Sequence, residues 1–182
     1  MDELQQRLAT GEEQAYAQLF DQLSDQLFHY AVCRVGSRAD ASDVVQEAFV
    51  RLFQRRRALL DVENLNAYIF RIVRNESLRQ MERTGRRLSQ LNELYEMRSA
   101  TLEHVGHASD LESIESVESV AAALCELPEH YRDIVELKTF TSMTFREIAD
   151  VVNKPAGTVA TWYRRGLEMM RVNLTREIRH EQ

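Results

Sequence analysis

Proline and glycine are scarce in this chain, with two prolines and six glycines among 182 residues. Both residue types interrupt helices, and the apolar residues show no sustained alternation of the kind that indicates a strand. The two prolines, Pro128 and Pro155, stand where helices are predicted to begin, a position that tolerates a missing amide hydrogen. These absences predict an all-α protein.

Other absences exclude whole classes of protein. No run of about 18 apolar residues could cross a membrane, and the acidic N-terminus lacks the apolar core of a signal peptide, so a cytoplasmic protein is expected. Cys33 and Cys125 stand alone in apolar patterns, which predicts buried thiols in a reducing compartment. His104 and His107 have no cysteine or third histidine nearby, so no metal site is expected. Without a Gly-rich phosphate loop or nucleophile motif, neither catalysis nor a cofactor is expected.

Charge is sorted along the chain, whose formal net charge is -6. Residues 1–50 carry −6 and residues 88–130 carry −8, whereas residues 51–87 carry +6 and residues 138–171 carry +3. Two basic segments on predicted helices indicate a polyanionic partner, although a solvated face is the alternative.

Apolar spacing predicts helices in the first half of the chain, the first over Gly11–Val35. Ser37 and Asp40 form an S-x-x-D capping box that begins the next. Its apolar face holds Ala41, Val44, Val45, Ala48, Phe49, Leu52 and Phe53. Its opposite face presents Asp43, Gln46, Glu47, Arg51 and Gln54. A helix with two such different faces packs against the core on one side only.

The stretch Asn66–Arg87 carries six arginines and two acids. One predicted face holds Ile69, Phe70, Val73, Ser77 and Met81. The other holds Arg71, Arg79, Arg83 and Arg86, with Tyr68 and Ile72 among them. A core helix with a solvated arginine face fits this spacing. A nucleic-acid surface fits equally, with arginines on phosphates and Tyr68 as a stacking plane.

Residues 96–109 have few large apolar side chains and predict an acidic, flexible linker. Helical spacing resumes at Leu111. The chain is therefore predicted to form two small helical domains, 1–95 and 110–182, joined by this linker.

The segment 141–172 predicts a helix-turn-helix. Thr144 and Glu147 form a second capping box, flanked by Met143 and Ile148 as a hydrophobic staple. Asn153 suits the left-handed conformation of a tight turn. A small residue, a turn residue four positions later and an aliphatic residue six further on is the spacing of this motif. A plain helical hairpin is the alternative.

The second helix of that motif divides into two faces. The apolar face holds Val159, Tyr163, Gly166, Leu167 and Met170. The polar face holds Thr161, Arg164, Arg165, Glu168 and Arg171. Threonine and arginine there could reach base edges in the major groove, and Lys154 could reach a phosphate. Trp162, at the edge of the apolar face, is predicted to pack rather than to contact a base.

Three segments resemble, in the right order, parts of the bacterial sigma-70 family of RNA polymerase sigma factors. DASDVVQEAFVRLFQ (40–54) resembles the core-polymerase-binding helix, and AYIFRIVRNESLRQ (67–80) resembles the promoter-melting helix beside it. Residues 124–171 resemble the C-terminal promoter-binding domain. With only two domains, regions 2 and 4, the chain resembles the extracytoplasmic-function (ECF) group.

The resemblance implies core RNA polymerase, promoter DNA and an anti-sigma factor as partners. It implies polymerase contacts at Asp43, Gln46, Glu47 and Phe49. Contacts to the minus-ten element fall at Asn64, Tyr68, Arg71, Arg74, Asn75, Arg79 and Arg83. Contacts to the minus-thirty-five element fall at Lys154, Thr158, Thr161, Arg164 and Arg165. The family often has glycine, lysine and a polar residue in the slots of Asn153, Ala160 and Trp162, so individual base contacts are not fixed by it.

Two other classes of function remain open. A dimeric helix-turn-helix regulator would act without polymerase, but it would not explain the surface of Asp43, Gln46 and Glu47. A sigma-like mimic would sequester an anti-sigma protein and bind no DNA, but it would not explain Arg164 and Arg165.

Overall fold

The fold is helical throughout the residues that the computed structural model describes, which are 3–84, 120, 123–124 and 126–180, with the backbone alone for 175–180. Seven α-helices can be delimited in these ranges. They are α1 (Glu3–Thr10), α2 (Glu13–Val35), α3 (Arg38–Gln54), α4 (Leu65–Thr84), α5 (Glu129–Phe140), α6 (Phe145–Val152) and α7 (Ala156–His180). A 3-10 helix, Arg56–Asp61, joins α3 to α4. The all-α prediction is confirmed.

Helices α2, α3 and α4 pack together through the faces that their spacing predicts. In α3 the buried positions are Ala41, Val44, Val45, Ala48 and Leu52. Ser37 begins α3 by accepting a hydrogen bond from the Asp40 amide at 3.3 Å. In α4, Phe70 and Val73 are buried, and the Phe70 ring lies edge-on to Tyr30 of α2 at 5.8 Å. This bundle fixes the direction in which α3 and α4 present their polar faces.

The apolar spacing predicts neither α1 nor the 3-10 helix, because it starts the first helix at Gly11. Gly11 instead follows α1 with a φ of 84°, which favours glycine, and α2 begins at Glu13. The side-chain amide of Gln5 in α1 donates hydrogen bonds to the carbonyls of Leu59 and Val62. Since these partners lie in a distant part of the chain, local spacing could not reveal them.

The predicted helix-turn-helix is present in α6 and α7. The Thr144 hydroxyl accepts from the Glu147 amide at 3.3 Å, and the Glu147 carboxylate accepts from the Thr144 amide at 2.7 Å. Asn153 ends α6 with φ 53° and ψ 54°, the left-handed conformation that the turn requires. Val159 is fully buried, so α7 returns to the core where the motif predicts.

Two residues assigned to apolar faces are largely exposed, which corrects the prediction. Leu167 is 42% exposed and Phe53 is 45% exposed. The Phe53 ring lies edge-on to Tyr16 at 5.4 Å and under the Arg56 guanidinium at 4.6 Å. Helical spacing gives the direction of a side chain, but not whether a neighbouring helix extends far enough to cover it.

The two halves of the chain touch each other. One buried apolar cluster runs from α2, α3 and α4 into Ile148, Ala149 and Val159 of the helix-turn-helix. The predicted linker at 96–109 and the helical spacing at Leu111 lie outside the described residues, and the domain limits stay a prediction. Cys33 is buried as expected, while Cys125 lies outside the described residues.

Candidate nucleic-acid and protein interfaces

The predicted polymerase-binding residues share one surface of α3. Asp43, Gln46 and Glu47 are exposed, and Phe49 is half-buried with its ring edge-on to Phe20 of α2 at 5.2 Å. Glu47 accepts a hydrogen bond from Arg51 at 3.0 Å. The structure thus places Asp43, Gln46 and Glu47 on the outside of the bundle, with the half-buried Phe49 on the same helix. Such a mixed surface fits a protein partner.

Arg51 and Glu76 fix the angle between the α3 surface and α4. Arg51 Nε lies 3.0 Å from the carboxylate of Glu47 on its own helix and 3.0 Å from that of Glu76 on α4. Glu76 is buried and also binds Arg79 at 2.7 Å. Ion pairs therefore join the polar face of α3 to that of α4.

The start of α4 presents the aromatic candidate for base stacking. Asn64 caps the helix, because its side-chain oxygen accepts from the Ala67 amide at 2.9 Å. Tyr68 is half-buried, and the guanidinium of Arg71 lies 5.3 Å from the centre of its ring. A cation over an aromatic face is a favourable contact. Arg71 remains exposed beside the ring. A base stacked on Tyr68 would therefore have a cation near its phosphate.

The other predicted minus-ten residues do not form one uniform patch. Asn75, Arg79 and Arg83 are exposed on α4, although Arg79 is paired with Glu76. Arg74 is turned instead towards the second half of the chain, where its Nε binds a carboxylate oxygen of Asp133. The structure therefore separates Arg74 from the outward-facing arginines.

The predicted minus-thirty-five residues lie on the turn and the outer face of α7. Lys154, Arg164 and Arg165 are exposed, while Thr158 and Thr161 are half-buried. The Thr161 hydroxyl donates to the Gly157 carbonyl at 2.8 Å, which fixes its rotamer. None of the five side chains is buried, so each is open to contact from outside the helix-turn-helix.

Trp162 packs as predicted. Its ring lies edge-on to His130 at 4.8 Å and to Tyr131 at 6.4 Å, both on α5. The indole therefore fixes α7 against α5 and orients the outer face of α7.

A cleft of about 550 Å³ separates the two candidate DNA surfaces. The first half contributes residues 61–64, Ala67, Tyr68 and Arg71. The second half contributes Ala149, Asp150, Asn153, Lys154 and Pro155. The turn of the helix-turn-helix thus faces the start of α4.

Spacing did not identify a buried polar cluster between the two halves. Asp133 of α5 accepts from the Tyr30 hydroxyl at 2.6 Å and lies 3.5 Å from Arg34 of α2. The side chains of Arg34 and Asp133 are 1% and 2% exposed. The only local signal is a charged residue inside an apolar helical pattern, in YAVCRV (30–35) and in YRDIVEL (131–137).

The charges in this cluster set the protonation of its members. Burial works against the charge on Arg34, but Asp133, then Tyr30, Glu136 and Glu129 favour it and raise the Arg34 pKa above its usual value. Burial, followed by the charge of Asp133, raises the pKa of Tyr30 well above its usual value. Both groups therefore keep their protons near neutral pH, so Asp133 accepts a hydrogen bond from Tyr30 and faces the positive charge of Arg34.

Within the described ranges, no group of three His, Cys, Asp or Glu side chains is placed to hold a metal ion. The candidate pair His104 and His107 lies outside them. None of the helices described is long and apolar enough to span a bilayer.

Two family descriptions match the chain, "Sigma-70 region 2" over residues 19–87 and "Sigma-70, region 4" over residues 118–170. The ECF RNA polymerase sigma factor SigW of Bacillus subtilis is 22% identical over 170 residues, covering 90% of this chain and 91% of that protein. CnrH, solved with the cytosolic domain of CnrY, superposes with a TM-score of 0.67 at 24% identity, covering 98% of this chain and 97% of that one. Sigma factor RpoE of Bartonella quintana, solved with the anti-sigma factor NepR, superposes with a TM-score of 0.65 at 18% identity, covering 88% and 96%. These two structural likenesses show a shared fold.

The two matched regions follow each other in family order and together span most of the chain. Region 2 contains α3 and α4 with their outward polar faces, and region 4 contains the helix-turn-helix. The chain therefore belongs to the sigma-70 family of RNA polymerase sigma factors, within its ECF group.

Proposed function

We propose that this sigma factor divides promoter recognition among three faces, with α3 on core RNA polymerase, α4 on the minus-ten element and α7 on the minus-thirty-five element. The observation that carries the assignment is the α3 surface, with Asp43, Gln46 and Glu47 exposed and Phe49 half-buried, beside a separate basic face on α4. A regulator that acts without polymerase needs the helix-turn-helix but not this surface.

Opening the DNA strands costs free energy, and stacking of the freed bases on the protein can offset that cost. Unstacking and extruding a base costs a few kcal/mol. Stacking a base on an aromatic side chain returns about 1–3 kcal/mol. Tyr68, with Arg71 beside it, is the stacking group on α4, so capture of one or two bases offsets the cost of opening.

Each half binds DNA weakly by itself, and polymerase makes the two act together. The formal net charge of -6 opposes tight, non-specific binding of the free protein to duplex. Joining the halves in one chain raises the effective concentration of the second contact once the first has formed. Free protein is therefore a poor promoter binder until core polymerase positions both halves.

The protein is proposed to act in the cytoplasm and to be controlled by an anti-sigma factor. RpoE of Bartonella quintana, which shares the fold, was solved with an anti-sigma factor. The same exposed α3 and α7 surfaces are available here to such a partner.

Run-off transcription with sigma-free core polymerase tests the proposal. Adding the chain to core polymerase and fragmented genomic DNA should yield transcripts that start at defined sites sharing two upstream elements. No transcript from any genomic promoter would favour the regulator or the mimic.

Arg164→Ala tests the assignment of α7 in the same assay. Loss of one base contact should relax preference at one position of the upstream element by about 1–3 kcal/mol. Binding to core polymerase should not change. Arg57→Ala, the same change at an exposed position of the 3-10 helix, should leave upstream preference unaltered. If Arg164→Ala also weakened core binding, the defect would lie in folding.

A further inference from the structure

We infer that the free chain is held closed by an ionic lock in which Asp133 of α5 joins Arg34 of α2 to Arg74 of α4, so that the second half lies against the start of α4 and occupies Asn64 and Arg74 of the proposed minus-ten surface. This inference deepens the proposed function and rests on it for the meaning of that surface. The closed contact itself can be measured without any assumption about function.

Both oxygens of the Asp133 carboxylate are used in the lock. Oδ1 accepts from the Tyr30 hydroxyl at 2.6 Å and lies 3.5 Å from the Arg34 guanidinium. Oδ2 binds Nε of Arg74. Arg34 also donates to Glu129 at 3.1 Å. One side chain of the second half thus holds two helices of the first half.

A second contact lies at the other end of the interface, between two helix caps. Asn64 caps α4 with its oxygen, and its amide nitrogen donates to Glu147 Oε1 at 2.9 Å. The other oxygen of Glu147 completes the capping box of α6. The start of the helix-turn-helix is therefore bonded to the start of the promoter-melting helix.

In the closed state, some residues that are proposed to contact DNA are bonded to the second half instead. Arg74 and Asn64, both proposed for the minus-ten element, are bonded to acids of the second half. Tyr68 and Arg71 line the cleft that faces Asp150. Asp133 and Glu147 thus bond to Arg74 and Asn64, and Asp150 lines the cleft opposite Tyr68 and Arg71. The second half and a DNA strand therefore compete for Asn64 and Arg74 and for the cleft beside Tyr68.

The lock can open readily, because its buried ion pair contributes little net free energy. A buried ion pair gains little over an apolar contact, because removing both charges from water offsets their attraction. Here Nε of Arg34 has no hydrogen-bond partner among the described residues, so the desolvation is incompletely compensated. When the halves separate, both charges regain water. Binding of core polymerase or DNA to the open form can then shift the population.

The test measures distance and DNA binding on the full chain. Nitroxide labels are attached to Gln54→Cys and Glu168→Cys, both exposed, with Cys33→Ala and Cys125→Ala as background. Double electron–electron resonance reports the separation of the halves. A mixed-sequence single-stranded DNA oligonucleotide at physiological salt reports access to α4.

Three chains are compared, the parent and two variants. Asp133→Asn keeps the acceptor for Tyr30 but removes the charge opposite Arg34 and Arg74. Asp25→Asn makes the same change at an exposed position of α2.

The parent chain and Asp25→Asn should each show one narrow, short distance and weak DNA binding. Asp133→Asn should show a broad, longer distribution and bind the oligonucleotide more tightly, on the order of tenfold. A broad distribution in the parent chain would overturn the lock. Opening in Asp133→Asn without tighter DNA binding would overturn the masking. Failure of the proposed function would show separately, as absent run-off transcription with the distances unchanged.

Discussion

Gly166 decides how closely the recognition helix can approach its support. A Cβ atom built on Gly166 would lie 2.9 Å from Cγ2 of Val135 on α5, closer than two carbon atoms can pack. The neighbouring Cβ of Tyr131 would lie at 3.5 Å. Glycine is needed at this point because α5 and α7 cross there, and not because of its backbone conformation.

Gly166→Ala should therefore destabilise the second half. Overpacking of this kind costs about 1–3 kcal/mol, since α5 or α7 must shift. Gly157→Ala is the matched control, because nothing lies within 4 Å of a Cβ at that position and the helix gains from the change. Urea unfolding followed by circular dichroism measures both. Equal midpoints for the two variants would mean that the helices adjust without cost.

Residue roles that depend on near neighbours could be predicted from the sequence. The Thr144–Glu147 capping box and the left-handed Asn153 depend on residues within ten positions of each other, and the structure confirms both. Arg34 and Asp133 could not be predicted as a pair, because they lie 99 positions apart in the chain. Nothing in local spacing tells a buried arginine from a solvated one.

At the scale of the element, α3 has two separable faces. Its buried face joins the bundle, while Asp43, Gln46 and Glu47 face solvent. Spacing predicted this division correctly, because the pattern is strong over four turns. Spacing also assigned Phe53 to the buried face, but its side chain is largely exposed. How much of Phe53 is covered depends on where α2 begins.

Asp43→Lys should weaken binding to core polymerase. Placing a like charge against a complementary partner surface costs up to several kcal/mol, so we expect at least about tenfold weaker affinity. The fold should be unaffected, because Asp43 is exposed. Fluorescence anisotropy with labelled protein measures the affinity.

Glu168→Lys, a charge reversal at an exposed position of α7, is the control for that measurement. It should leave core affinity within about twofold, as changes at surface positions away from an interface usually do. Equal loss in both variants would show that net charge, rather than the α3 surface, governs binding.

At the scale of the whole molecule, the sequence predicted two helical halves but not their contact. The halves share one buried apolar cluster and a charged interface. Such docking depends on surfaces brought together across a long separation in sequence, which periodicity does not encode. Arg74 shows the consequence, because a residue proposed for DNA is bonded to Asp133 in the closed chain.

One chain is expected to contact two promoter elements only when polymerase holds its halves apart. Photocrosslinking tests this most directly, with benzoylphenylalanine placed at Tyr68 in one preparation and at Arg164 in another. With core polymerase present, position 68 should crosslink to the melted strand near the start site and position 164 to duplex upstream. Without polymerase, both crosslinks should be nearly absent. Crosslinks from both positions to the same element, or an unchanged pattern without polymerase, would contradict the account.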